Sequence, residues 1–216
     1  MDAVMNNDIL LINELNRVIP SVRNVKKALE AGADINEQTG RKGYTPLMYV
    51  VEKQYDRIAE YLLRQGADPL IKNNENKLAS ELVSPSCSVY HILKDFELLA
   101  ATHNNDLISV QLIIQSGAMI NFQGSGRYSA LMIAVEQENI ELTEYLLSEG
   151  ADLFLTQKDG LNVFDLALDQ SIHHLLENSI IQNKMSDNNL QYHVKNKKNH
   201  FFSSASRPLF KWEKLF

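Results

Sequence analysis

An all-α solenoid of stacked helix–turn–helix units, built as two duplicated blocks and followed by a basic C-terminal tail, is the fold the sequence predicts. One pattern, an apolar helical run followed by glycine and alanine and usually aspartate, occurs four times: Leu29-Glu-Ala-Gly-Ala-Asp-Ile-Asn36, Leu62-Leu-Arg-Gln-Gly-Ala-Asp68, Ile113-Ile-Gln-Ser-Gly-Ala-Met-Ile-Asn121 and Leu146-Leu-Ser-Glu-Gly-Ala-Asp152. The glycines fall at 32, 66, 117 and 150, so two of the three intervals are 34 and 33 residues, a period that marks stacked supersecondary units. Thr45–Asp68 laid on Ser129–Asp152, an offset of 84, gives eleven identities in 24 positions, including Glu60-Tyr61-Leu62-Leu63 with Glu144-Tyr145-Leu146-Leu147. Two unrelated amphipathic helices would match apolar with apolar; they would not reproduce that tetrad and the Gly-Ala-Asp together. The match reads as a duplication.

The elements of one unit follow from local chemistry. Thr45-Pro46 starts a helix, with threonine capping free amides and proline in the first turn, where a missing N–H costs nothing. Leu47, Val50 and Val51 share a face at three-and-four spacing. A polar turn, Gln54-Tyr55-Asp56, precedes a second helix with apolar positions Ile58, Ala59, Leu62 and Leu63, and Gly66 ends it in the left-handed conformation. Each helix pair is apolar on faces it cannot cover alone, so units must stack. After Gly66 a glycine is due near 99, but the chain reads Ile92-Leu-Lys-Asp-Phe-Glu-Leu-Leu-Ala-Ala101. Asn76–Val83 opens a degenerate unit whose first helix must end at or before Ser84, ahead of Pro85. Val89–Leu93 supplies a truncated second helix that passes into the next helix without a protruding hairpin. Ile172-His-His-Leu-Leu176 aligns with Val89-Tyr-His-Ile-Leu93, so a short closing half-unit belongs to the duplicated block. The expected divisions are residues 1–94, 95–182 and the tail 183–216, with the defective unit changing the stacking angle between the blocks.

Gly43-Tyr-Thr-Pro-Leu47, followed by a helix pair and Leu62-Leu-Arg-Gln-Gly-Ala-Asp68, resembles the ankyrin repeat, and Asp159-Gly160 through Phe164-Asp165-Leu166-Ala167 resembles the opening of another such unit. The resemblance covers roughly residues 8–180. Arg127 stands where the hairpin glycine is expected, Ser129-Ala130 replaces Thr-Pro, and Met119 replaces aspartate. The resemblance implies a protein-binding module that meets its partner through hairpin tips and the inner face of the first helices. At matching positions this selects Arg41, Lys42, Tyr44, Glu52 and Lys53 in the first block. In the second it selects Ser125, Tyr128, Glu136, Gln137, Lys158, Asp159 and Leu161. Tyr44 and Tyr128 occupy equivalent positions and are either interface anchors or packing residues between repeats.

Composition excludes several other classes. With 44% hydrophobic and 22% charged residues among 216, the chain has the balance of a globular protein. No apolar run approaches the roughly 20 residues a membrane helix needs. The start, Met1-Asp2-Ala3-Val4, carries acid where a secretory signal carries base, and the one cysteine, Cys87, suits a reducing compartment. A cytoplasmic protein, or one acting in a host cytosol, is the expectation. None of His91, His103, His173, His174, His193 and His200 falls in a metal-ligand spacing, Cys87 has no basic sequence neighbour to activate it, and Gly124-Ser125-Gly126 sits at a hairpin tip rather than in a phosphate loop. No catalytic residue, cofactor or metal is expected.

The net charge of −6 divides into +5 over residues 183–216 and therefore −11 over the rest. Lys195-Asn-Lys-Lys198 falls short of the four to eight basic residues that make a lipid-binding cluster, so neither membrane nor nucleic acid is the expected partner. Disorder is expected over 183–205, whereas Pro208-Leu-Phe-Lys-Trp-Glu-Lys-Leu-Phe216 is apolar enough for a docking or secretion signal. A protein partner is the leading expectation. The alternatives are an inhibitor, immunity or regulatory subunit that neutralises a basic enzyme or toxin site, and a secreted effector that targets a host protein.

Overall fold

The computed structural model describes residues 2–15 and 20–186. In chain order the elements are α1 (Asp2–Leu15), α2 (Val22–Glu30), α3 (Pro46–Glu52), α4 (Asp56–Arg64), a 3-10 turn (Ala79–Leu82), α5 (Ser88–His103), α6 (Leu107–Gln115), a second 3-10 turn (Ser125–Arg127), α7 (Ala130–Glu136), α8 (Ile140–Ser148), α9 (Val163–Leu166) and α10 (Gln170–Ser186). Among the described residues there is no strand, only an antiparallel bridge between Thr39 and Tyr44. The all-α solenoid stands.

The helix starts are set by the residues the sequence pointed to. Thr45 Oγ1 accepts the Met48 N–H at 3.3 Å, with Pro46 opening α3. Ser129 keeps the same cap on Met132 although Thr-Pro has become Ser-Ala. Pro46, Leu47, Met48, Val50 and Val51 are all buried, so α3 lies between neighbours rather than on a surface. Ile58, Ala59, Leu62 and Leu63 form the buried face of α4, and Gly66 follows it at φ 103°. Ahead of Pro85 the degenerate unit manages only the 3-10 turn Ala79–Leu82, and α5 then runs unbroken from Ser88 to His103.

First helices stack in one layer: α1 on α3, α3 on the turn Ala79–Leu82, that turn on α5, α5 on α7, and α7 on α9. The second helices form the other, with α2 against α4, α4 against α5, and α8 against α10. Helix α5 belongs to both layers. Its N-terminal part closes the degenerate unit, and its C-terminal part serves as the first helix of the next. Buried apolar residues fall into two groups, one from Leu11 to Phe96 and one from Leu98 to Leu176, with the Phe122 ring touching both.

The duplication extends to individual hydrogen bonds. Asp8 Oδ1 accepts the Asp34 amide, and Asp95 Oδ1 accepts the Met119 amide, both at 2.7 Å. Asn36 Oδ1 takes the Asp68 amide and Asn121 Oδ1 the Asp152 amide. The Gln38 amide nitrogen donates to the Gly43 and Lys72 carbonyls, and Gln123 does the same for Arg127 and Thr156. Each glutamine ties one hairpin loop to the next, which satisfies loop carbonyls that helices leave unpaired. No helix among the described residues is long and apolar enough to cross a membrane. Residues 183–186 continue α10, where disorder was expected to begin; from residue 187 on, the expectations for the tail lie outside the described residues, including the rest of the disorder expected over 183–205 and the apolar segment at 208–216.

Candidate protein-binding surface

Four loops project from the stack, closed by backbone bonds between 39 and 44, 73 and 77, 124 and 128, and 157 and 161. Their tips are joined: the Asn74 N–H donates to the Lys42 carbonyl at 2.9 Å, and the Lys158 N–H to the Gly126 carbonyl at 2.8 Å. Asn74 also donates through its side chain to the Arg41 carbonyl. Gly43 shows how closely these tips approach. It lies at φ +63°, and a Cβ there would meet Asn74 Oδ1 at 2.5 Å. The tips are therefore tied in two pairs, one in each block.

At the first tip three predicted residues meet. Lys42 Nζ lies 2.9 Å from Glu52 Oε1, and the Tyr44 hydroxyl donates to the same oxygen at 3.2 Å. The ammonium is also 3.3 Å from the Tyr44 oxygen and 4.8 Å from the ring centroid, within cation–π range. Hydrogen bonding to Glu52, then to Tyr44, pushes the Lys42 pKa up to about 12. The Lys42 bond in turn holds the Glu52 carboxyl below its ordinary value. Carboxylate, phenol and aromatic ring together make a cradle for an ammonium.

The second tip carries the same tyrosine and glutamate without the lysine. Tyr128 and Glu136 stand where Tyr44 and Glu52 stand, but the residue at the position of Lys42 is Gly126. Glu136 Oε2 is buried and has no hydrogen-bond partner, and no lysine or arginine among the described residues pairs with that carboxylate. Burial pushes the Glu136 pKa up. Burial, with Glu136 and Asp159 nearby, pushes the Tyr128 phenol up to about 12.

Both tyrosine rings are packed rather than presented. Tyr44 is 4% exposed and Tyr128 2%. Tyr44 meets Tyr49 edge-on at 5.5 Å, and its hydroxyl donates to Glu52. Of the two readings of these rings, their burial fits packing between repeats, with the loop closing back over the start of the following helix and carrying the ring into the core. Lys53 Nζ donates to the Leu15 carbonyl, and Gln137 donates to the His103 carbonyl at 2.8 Å, so both cap the end of the preceding first helix. The Ser125 hydroxyl donates to the Arg64 carbonyl at 2.9 Å, pinning the second block's hairpin on α4. Leu161 is half-buried and its carbonyl accepts the Gln157 N–H. Arg41, Lys42, Glu52, Lys158 and Asp159 remain exposed along the tips.

Sequence reasoning missed three features. The ladder of Gln38 and Gln123 was signalled by Ile35-Asn-Glu-Gln38 recurring as Ile120-Asn-Phe-Gln123. The vacancy at Glu136 was signalled by Gly126 aligning with Lys42 at the offset of 84. Ile108 and Leu112 on α6 are 72% and 61% exposed, a stripe hidden from sequence by the uniformly apolar character of that helix. Among the described residues no group of three or more His, Cys, Asp or Glu side chains is placed to hold a metal ion.

The ankyrin-repeat family model matches residues 42–74 and 127–158, the units built on α3–α4 and α7–α8. Among curated proteins, the chain is 24% identical over 177 residues to palmitoyltransferase AKR1 of Lachancea kluyveri, spanning 73% of this chain and 24% of that protein. It is 26% identical over 183 residues to the ankyrin repeat and KH domain-containing protein mask-1 of Caenorhabditis elegans, spanning 65% of this chain and 7% of that protein. Over 72 residues it is 39% identical to the rat ankyrin repeat and SAM domain-containing protein 6, 33% of this chain and 8% of that protein. The chain thus covers at most about a quarter of the length of these three relatives. The two matched repeats begin 85 residues apart, the helix pairs of the stack repeat one bonding scheme, and the relatives are described by the same repeat: the chain carries ankyrin repeats.

Proposed function

We propose that this chain is a non-enzymatic, cytoplasmic binding module that engages a protein partner through its hairpin tips and the inner face of its first helices. The observation that carries this is the bonding of the tips in two pairs. Asn74 on Lys42 and Lys158 on Gly126 fix the loop backbones, while Arg41, Lys42, Glu52, Lys158 and Asp159 stay exposed along one edge. Rigid loops with exposed polar side chains lose little entropy on binding. The contacting set is the predicted one, with Tyr44, Tyr128, Lys53, Gln137, Ser125 and Leu161 supporting the surface from beneath and Glu136 at its floor.

A second reading concerns the kind of partner. Residues 1–182 carry −11, and Glu136 has no cation of its own, so a basic site on an enzyme or toxin suits this face; binding would then weaken steeply with salt. The test is charge reversal at Arg41→Glu with Lys158→Glu in the full chain, scored by affinity for the purified partner and by thermal melting. Lost affinity with an unchanged melt supports the tip surface. Retained affinity with an unchanged melt rejects it.

A further inference from the structure

The two blocks also differ on the outer face of their second helices. Laying Gly32 on Gly117 sets α2 against α6 in a register that burial supports, since Val25 and Val110, then Ala28 and Ile113, are buried alike. In that register the exposed Arg23 and Lys27 of α2 become Ile108 and Leu112 of α6, which are exposed as well. Four residues apart, Ile108 and Leu112 share one face of the helix. Helices α2, α4 and α8 each carry charged residues, and α6 carries none. The starts of α6 and α8 are tied by the Asn139 side-chain amide, which donates to Asn105 Oδ1 at 2.8 Å. Ile140, the exposed first residue of α8, therefore stands at the same end of this face. Scattered apolar side chains are ordinary on a protein surface. An uncharged helix with an apolar stripe in place of two cations is a surface built to be covered.

Charge divides the same way. Residues 1–94 hold 12 basic and 12 acidic side chains, and residues 95–182 hold 2 and 13, so the whole −11 belongs to the second block. Glu138, Glu141, Glu144 and Glu149 are exposed on and beside α8, and no lysine or arginine occurs between Arg127 and Lys158. The complement lies in the same chain. Residues 183–216 carry +5, and the segment 208–216 sets Lys211 and Lys214 among Leu209, Phe210, Trp212, Leu215 and Phe216. Reach is not limiting. Helix α10 runs to Ser186 and packs on α8. Residues 187–207 can span up to about 70 Å when extended, whereas the two helix-to-helix steps from α10 past α8 to α6 cover about 20 Å. Tethering holds such a segment at an effective concentration on the order of millimolar, so a modest contact suffices.

We propose that residues 208–216 dock within the chain on the outer face of α6 and α8, with their apolar side chains over Ile108, Leu112 and Ile140 and their lysines toward the carboxylates of α8. The contact is intramolecular, so it goes beyond the binding-module reading and does not rest on it.

Trp212 is the one tryptophan of the chain, so its fluorescence reads the segment directly. In the full chain its emission should be blue-shifted, and its quenching by acrylamide weaker, than in a synthetic peptide of residues 206–216. Ile108→Asp with Leu112→Asp should return both readouts to the peptide's values. Both positions are exposed, so the helical melt followed by circular dichroism should hold. Phe210→Ser with Phe216→Ser, made in the segment rather than in the stack, should release Trp212 in the same way. Leu10→Asp, at an exposed position of α1, should leave it protected. Peptide-like emission in the parent chain would overturn the proposal, as would a protected Trp212 that ignores either pair of substitutions. Protection that fades on dilution would overturn it in favour of a second copy of the chain. No partner enters these measurements, so their failure reads separately from failure of the charge-reversal test on Arg41 and Lys158.

Discussion

Tyr44 does two jobs with one side chain. Its ring fills the space over α3 beside Tyr49, and its hydroxyl joins Lys42 at the Glu52 carboxylate. Truncation to alanine therefore removes core volume as well as the cradle wall. Tyr44→Ala and Tyr128→Ala should each cost about 3–5 kcal/mol in denaturant unfolding, and a loss under about 0.5 kcal/mol would return both rings to the surface. Arg127 illustrates a local cost. It sits at φ 62°, the conformation that Gly43 takes at φ 63° in the first block. Arg127→Gly should raise stability by about 1 kcal/mol through relief of that left-handed strain; an unchanged or lower midpoint would contradict it. Glu136 gives a pH signature. Burial raises its folded pKa above the ordinary 4.5, so its protonated form favours the fold. Stability from this group is fully present below 4.5 and is lost as pH rises through the folded pKa. Glu136→Gln should remove that slope, so that the variant gains on the parent chain as pH rises and matches it in acid. The sequence shows a tyrosine at each tip but not its burial. Which way a loop side chain turns depends on where the loop closes, and the loop of the second block is one residue shorter between Gln123 and Tyr128 than between Gln38 and Tyr44.

Helix α5 decides how the blocks join. Pro85 stops the helix before it, and no glycine follows Leu93 to stop the next one, so a single 16-residue helix takes over two roles. Its interior carries a cost. Glu97 is fully buried and pairs at 2.7 Å with Lys94, whose side chain is 13% exposed. Burial pushes the Glu97 pKa up, against the pull of Lys94 and the nearby Ser80 hydroxyl, while Glu97 Oε1 and Ser80 Oγ have no hydrogen-bond partner. Taking Lys94 away leaves a buried carboxylate uncompensated. Lys94→Met should therefore destabilise the chain by about 3–5 kcal/mol near neutral pH, measured by urea unfolding. A loss below about 1 kcal/mol would mean that Glu97 is already neutral in the fold. At this scale the sequence was informative: the Thr45 cap, the stop at Gly66, the break before Pro85 and the unbroken run through Leu93 are all local signals, and the structure follows each. The Ser125 contact with Arg64 was not legible, since it joins residues 61 apart and depends on the hairpin that the degenerate unit lacks.

At the scale of the whole molecule, duplication is both the best-read feature and the one with most functional content. The offset of 84 in sequence reappears as α3 with α7, α4 with α8, and the 3-10 turn Ala79–Leu82 with α9. Two copies of one scaffold then differ at their tips, Lys42 against Gly126 and Asn74 against Lys158. Repeats need their core residues for stacking, so a self-alignment shows the fold by its matches, while its mismatches mark where the proposed surface differs between the blocks. The identity of the partner lies beyond any such comparison, because the fold constrains the core and not the tips. The measurement that bears most directly on the tip surface is hydrogen–deuterium exchange of the full chain with and without its partner. The expected result is new protection over 40–44, 124–128 and 157–161 and at the ends of α3 and α7, with the outer faces of α6 and α8 unchanged. Protection confined to α6 and α8, around Ile108, Leu112 and Ile140, would contradict it and move the interface to the opposite side of the stack.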